Sequence, residues 1–167
     1  MTTSTIILIA TTVCVGLMAG LFYSYSCSVV TGLGKLSNTE YLLAMQSINR
    51  AIQNPVFFVG FFGSLILLPV CTYMNYIAPA STHFRLLLGA TVIYIIGAFA
   101  VTVFGNIPLN NTLDKFDLIN QSKEAIALQR NLFESRWNNL NIIRMISSLI
   151  SFILLVIACA YGEKNTL

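Results

Sequence analysis

The chain has 167 residues, of which 56% are hydrophobic and 9% charged, with a mean hydropathy of +0.79. An ordinary soluble domain carries about 25% charged residues, so this composition excludes one and points to a membrane. Nine Lys/Arg against six Asp/Glu leave a formal charge of +3. The charges are unevenly placed. None falls between Met1 and Lys35, between Arg50 and Arg85, between Arg85 and Asp114, or between Arg144 and Glu163. A bilayer core about 30 Å thick takes roughly 20 apolar helical residues, so the gaps predict an all-α fold, an integral membrane antiparallel four-helix bundle with a helical third connection. The whole chain, 1–167, reads as a single transmembrane domain with spans at about 5–33, 54–75, 84–105 and 139–161.

The first apolar run lacks the basic start and small-residue cleavage pattern of a removed signal peptide, so it is expected to stay as the first span, from about Thr5 to Leu33. Its Gly16, Ala19 and Gly20 put small residues on one side, where a neighbouring backbone can approach. Near its far end lie Phe22, Tyr23, Tyr25, Ser26 and Ser28, either an interfacial aromatic belt or part of a pocket lining.

Asn38 is the expected N-cap of a second helical stretch, in which Gln46, Asn49, Arg50 and Gln53 fall at i, i+3, i+4 and i+7 and make one polar stripe. Asn54-Pro55 marks a break or a kink before the second span, because proline removes a backbone donor and disfavours helix at the residue before it. The third span is expected to stop at Gly105-Asn106-Ile107-Pro108, with Asn110 and Asn111 following. The charged connection 112–136 reads as helical from Ser122. Glu134, Trp137, Asn141, Arg144, Ser148 and Ser151 then follow at steps of three or four, so one polar face runs down into the last span.

Several functions are excluded on residue type. The carboxylates Glu40, Asp114, Asp117, Glu124, Glu134 and Glu163 all lie in connecting or terminal segments, which argues against an acid relay through the spans. His83 is the sole histidine, so a multi-His metal site is not expected from this chain, and Cys14, Cys27, Cys71 and Cys159 read as small buried hydrophobes without a C-x-x-C pair. No metal or other cofactor is expected. A haem would need His83 or a methionine such as Met18, Met45, Met74 or Met145 as axial ligand.

In an antiparallel bundle, the ends of spans one and three and the starts of spans two and four share one side. Tyr23 and Tyr25, Gln46 with Asn49 and Arg50, Asn106 with Asn110, and Trp137 with Asn141 and Arg144 should therefore meet at one depth. An arginine facing lipid costs about 2.5 to 3.5 kcal/mol, so Arg144 is expected to face the bundle and find acceptors. The cluster is either a hydrogen-bonded buckle fixing helix register or the mouth of a pocket for an enolate, phenolate or carboxylate. Lys35, Arg50, Lys115, Lys123, Arg130 and Arg136 lie on the cluster's side, against Arg85 and Lys164 on the other. Positive-inside bias places the larger group in the cytoplasm and both termini outside.

Ala19-Gly20-Leu21-Phe22-Tyr23-Ser24-Tyr25, Met45-Gln46-Ser47-Ile48-Asn49-Arg50 with Asn54-Pro55, Asn106-Ile107-Pro108-Leu109-Asn110, and Trp137-x-x-x-Asn141-x-x-Arg144 together resemble the anthrone oxygenase-like family of small four-helix membrane proteins, over about residues 5–160. Most bacterial members of that family are described as a domain of unknown function, and fungal relatives are associated with oxidising anthrones to anthraquinones. The resemblance implies a cofactor-independent oxygenase acting on a hydrophobic anthrone-like or phenolic molecule, with a bacterial inner membrane as the expected location. Arg144, Asn106, Asn110, Asn141 and Tyr23 are then the expected catalytic set, and Tyr25, Gln46, Asn49, Arg50 and Trp137 the expected substrate-binding set. Arg144 with Asn106, Asn110 or Asn141 would stabilise the substrate anion; Tyr23, Tyr25 and Glu134 are the candidate bases. The rival readings are a non-catalytic lipid, quinone or small-molecule binder and a structural membrane partner. Expected partners are membrane lipids and a hydrophobic small molecule, not nucleic acid.

Overall fold

In a computed structural model, which describes residues 2–76 and 79–164, the chain forms five helices: α1 (Thr3–Leu33), α2 (Asn38–Ala51), α3 (Pro55–Met74), α4 (Thr82–Asp114) and α5 (Lys123–Lys164). α1, α3, α4 and α5 are each long and apolar enough to cross a membrane. Their outward faces carry aliphatic side chains such as Ile6, Leu17, Val59, Ile66, Ile96 and Ile153, suited to acyl chains.

Short polar side chains start the helices. Ser37, not Asn38, caps α2. Its Oγ accepts from the Glu40 amide while the Glu40 carboxylate accepts from the Ser37 amide, a reciprocal box that leaves Asn38 as the first helical residue. The Ser37 hydroxyl, which donates to the Glu40 carboxylate at 2.6 Å, and then the Ser37 amide hold the Glu40 carboxyl below its ordinary range. Asn54 caps α3 by accepting from the Phe57 amide, with Pro55 at the first helical position, so Asn54-Pro55 is a break between two helices. Ser81 does the same for α4 and Ser122 for α5.

Hydrogen bonds at the two ends establish the antiparallel order. At one end, Ser4 Oγ at the start of α1 donates to Asn75 Oδ1 after α3, and His83 Nδ1 at the start of α4 lies 3.1 Å from the Ala158 carbonyl near the end of α5. At the other, Arg130 of α5 donates to the carbonyls of Gly34 and Leu36 and to the Glu134 carboxylate, and its guanidinium lies over the Tyr41 ring. This clamp fixes the α1–α2 connection onto α5.

α4 departs from expectation. It does not stop at Gly105 but runs through Pro108 to Asp114, with π turns at Ile95–Ala100 and Thr102–Asn106. The Ile107 amide donates back to Thr102, a wider turn just before Pro108, which supplies no amide of its own. The widening also changes what shares a face. In a regular α-helix a step of four residues overshoots one turn by about 40°, so repeated steps drift away from the core. The π turns cancel that drift: Tyr94, Ala98, Thr102 and Asn106 are all buried, and Asn110 continues the line. A further π turn, Tyr25–Val29, lies in α1 at the same level. The last helix is continuous from Lys123, so the expected span 139–161 is the inner part of one 42-residue helix.

α4 and α5 approach closely at Gly97. A Cβ there would meet the Ser147 side chain, including its Cβ at 2.5 Å, which rotation of the hydroxyl cannot relieve. Gly97→Ala is therefore expected to destabilise the bundle by about 1–3 kcal/mol, read as a lower unfolding midpoint in detergent, whereas Gly20→Ala, which meets nothing within 4 Å, should be neutral.

Candidate functional site

The inward face of α5 carries Trp137, Asn141 and Arg144 at i, i+4 and i+7, so all three point into the bundle at the level of the π turns. Arg144 is 7% exposed. Its Nη2 donates to Asn141 Oδ1 (2.7 Å) and its Nη1 to Thr102 Oγ1 (3.4 Å). Thr102 is free to accept because its own hydroxyl donates to the Ala98 carbonyl. Asn141 passes the chain on, donating from Nδ2 to Ser26 Oγ on the α1 π turn (2.7 Å). Above and beside the guanidinium lie the rings of Phe22 (4.5 Å) and Trp137 (5.3 Å), and Trp137 is itself oriented by donating Nε1 to Asn110 Oδ1 (2.8 Å). Two ion pairs occur among the described residues, Arg50–Asp114 and Arg130–Glu134. Arg144 belongs to neither. It is a buried cation neutralised by dipoles and π faces rather than by a carboxylate.

These residues form one end of a cavity of about 320 Å³. The opposite wall is aromatic: Phe57, Phe58, Phe61 and Phe62 from α3 and Phe99 from α4, with Phe61 stacked on both Phe57 and Phe99 at 5.3 Å. α1 contributes Leu21, Phe22 and Tyr25, and the end of α2 contributes Ile48, Asn49 and Ile52. Four polar atoms on the lining have no partner among the described residues: Arg144 Nε, Asn49 Nδ2, and both Nδ2 and Oδ1 of Asn106. A buried polar group without a hydrogen bond costs about 1–3 kcal/mol, so this concentration of open donors with one acceptor marks the place where the chain is least satisfied by itself.

Seven of the expected site residues meet at this cavity: Arg144, Asn106, Asn110, Asn141, Tyr25, Asn49 and Trp137. Three do not. Tyr23 is 56% exposed on the outside of α1, because two residues of helix place it on nearly the opposite face from Tyr25. Gln46 is buried but structural, its Nε2 donating to the carbonyls of Leu113 (2.8 Å), in the last turn of α4, and Phe116 (3.0 Å), just beyond it. Arg50 is exposed and paired with Asp114 at 2.6 Å. Among the candidate bases, Glu134 is held by Arg130, and the Tyr25 hydroxyl donates to Met45 Sδ. Cys27, expected to be buried, is exposed on the α1 π turn. The residues that the pattern did not single out are Thr102, Phe99 and the Phe57/58/61/62 wall. The F-F-x-x-F-F spacing carried a signal, since it places four rings along neighbouring stripes of one helix.

Fold and cavity together define a multi-pass, all-α membrane protein with an internal pocket that is aromatic at one end and arginine- and amide-lined at the other. No curated protein and no solved structure matches the chain significantly. The sequence model of the family described as anthrone oxygenase matches residues 56–154, which carry α3, α4 and the site-bearing part of α5. The chain belongs to the anthrone oxygenase family.

Proposed function

We propose that the protein is a cofactor-independent oxygenase that binds a hydrophobic anthrone-like or phenolic molecule in this pocket. The observation that carries the reading is Arg144: a buried guanidinium with no carboxylate partner among the described residues, with Nε open, in a cavity otherwise lined largely by aromatic and aliphatic side chains. Such a group is built to receive an anion. A planar substrate would lay its rings among Phe57, Phe61 and Phe99 and present its oxygen to Arg144 and the amides of Asn106 and Asn49.

The chemistry asks little more of the protein. An anthrone methylene loses a proton to give an enolate, whose negative oxygen Arg144 and the amides stabilise in a low-dielectric site. The electron-rich carbon of the enolate then adds oxygen, an apolar gas that dissolves in the hydrocarbon around the bundle. Protonation gives a hydroperoxide, R2CHOOH, and loss of water leaves the ketone, so that R2CH2 and O2 become R2CO and H2O. No Asp, Glu, His or Lys is part of the described lining, so the methylene proton leaves to water. Rate enhancement comes from stabilising the anion and orienting its carbon, not from a strong base.

The same lining favours a second reading, a binder of quinone or phenolic lipid without turnover, because it offers anion recognition and no proton acceptor of ordinary strength. Oxygen uptake separates the two. Protein in nanodiscs supplied with anthrone is expected to consume oxygen faster than anthrone autoxidises alone, with anthraquinone formed mole for mole with the oxygen consumed. Retention of anthraquinone without accelerated uptake would establish the binder instead.

A further inference from the structure

The cavity has two boundaries through which a ligand could pass, and they are built differently. Towards the aqueous side it is bounded by the end of α2, through Ile48, Asn49, Ile52 and Gln53, and by Asn110 and Asn111 of α4. The α2 roof is pinned. Gln46 holds it to the carbonyls of Leu113 and Phe116, Arg50 to Asp114, and the Arg130–Tyr41 contact fixes its beginning to α5. Towards the bilayer the boundary is the seam between α3 and α4. These helices are joined at one end by the Thr72–Thr91 hydroxyl pair (2.7 Å) and halfway along by the Phe61–Phe99 stack. α3 packs along the Thr82–Tyr94 part of α4, meets Ile95–Ala100 only sparsely, and then parts from it. The helices thus form a wedge whose apex is the Phe61–Phe99 stack and whose open end is the cavity. The rims of the wedge are apolar: Phe58 and Phe62 on α3 and Ile107 on α4 line the cavity and are also exposed on the outer surface, and Val103, one turn before Ile107, lines it half-buried.

We infer that the pocket is loaded laterally from the bilayer through this α3–α4 slot, and that Phe58, Phe62, Val103 and Ile107 set the width of molecule admitted. The inference rests on the reading of the cavity as a site for a lipid-soluble small molecule. An apolar rim at hydrocarbon depth does not hold a column of water, whereas a flat aromatic molecule already partitioned into the membrane crosses it without losing hydration. Its polar end then meets the open atoms of Asn106, the buried neighbour of Ile107, and of Arg144. The slot selects for thin, planar bodies, and the pinned, amide-bearing roof offers them no comparably apolar entrance.

Trp137 is the sole tryptophan of the chain and lines the cavity, so its emission reports occupancy directly. The probe is 4-bromophenol, a membrane-soluble phenol that quenches tryptophan on contact, mixed in stopped flow with the full-length protein in phosphatidylcholine vesicles. Val103→Phe and Ile107→Phe, which add bulk at partly lipid-facing positions and so are tolerated by the bundle, should slow quenching several-fold with little change in its final extent. Phe58→Ala and Phe62→Ala should hasten it. Gln46→Ala and Arg50→Ala, which loosen the roof, should leave the rate as in the parent. Rates that respond to the roof variants and not to the slot variants would overturn lateral loading while leaving the pocket intact. If Trp137 is not quenched at equilibrium in the parent protein, both the lateral route and the phenolic pocket fall.

Discussion

Arg144→Lys is expected to yield a folded protein whose anthrone turnover falls by about 10²–10³-fold, the usual consequence of removing one preorganised donor from a developing oxyanion. Lysine keeps the charge, so long-range attraction of an anion survives. The planar fork does not survive. Arg144 uses one nitrogen on Asn141, a second on Thr102, and keeps Nε open, while its flat face lies over Phe22 and near Trp137. An ammonium cannot hold both acceptors, stack between two rings and still aim a donor at a ligand. Arg144→Ala is the poorer experiment, because Asn141 Oδ1 and Thr102 Oγ1 would each lose a donor at about 1–3 kcal/mol and instability would mask the catalytic effect. Far-UV circular dichroism and monodisperse elution establish folding for the lysine variant. Turnover at the parental rate in that variant would remove Arg144 from the chemistry.

The bundle was legible because lipid imposes strong constraints. The uncharged gaps located all four membrane-crossing helices, and the three-and-four spacing from Glu134 to Ser151 marked the inward face of α5, where Trp137, Asn141, Arg144, Ser148 and Ser151 are all buried. That face read correctly because α5 is a regular helix throughout. Where backbone geometry departs from the α-helix, the same spacing rules misled. Gly105 and Pro108 are ordinary stop signals, yet α4 continues because a π turn precedes the proline. The signal for that continuation was present in the four-residue repeat Tyr94, Ala98, Thr102, Asn106, Asn110, which stays on one face only if the helix is wider than usual.

The site was legible to the extent that depth determines it. Residues placed at one level by the antiparallel order do gather there, including Asn49, Asn106, Asn110 and Arg144. Depth alone does not say which polar residue faces the cavity and which satisfies a neighbouring backbone. Gln46 and Asn49 lie one turn apart on α2 and are both buried, but Gln46 is consumed by two carbonyls at the end of α4 and just past it, while the Asn49 amide nitrogen is left open. Only the position of those carbonyls distinguishes them, and it depends on α4 running on to Asp114. The unexpected continuation of α4 and the misassignment of Gln46 thus have one cause.

Asn106 decides between a buckle that fixes helix register and a pocket that receives a ligand. A buckle residue is satisfied in the folded chain, so removing its amide should unfold the protein. Asn106 is 1% exposed and neither Oδ1 nor Nδ2 has a partner among the described residues. Replacement by an apolar side chain of similar branching therefore relieves buried, unsatisfied atoms instead of breaking bonds. Asn106→Leu is expected to hold or raise the unfolding midpoint, by up to roughly 2 kcal/mol in stability, and at the same time to lose anthrone turnover and retention of bound anthraquinone. Asn141→Leu provides the contrast, since Asn141 accepts from Arg144 and donates to Ser26, and it should lose stability along with activity. Thermal melts in detergent together with oxygen uptake measure both quantities on the same preparations. A fall in stability for Asn106→Leu comparable to that for Asn141→Leu would make the amide cluster a structural buckle and remove the main support for a ligand at this end of the cavity.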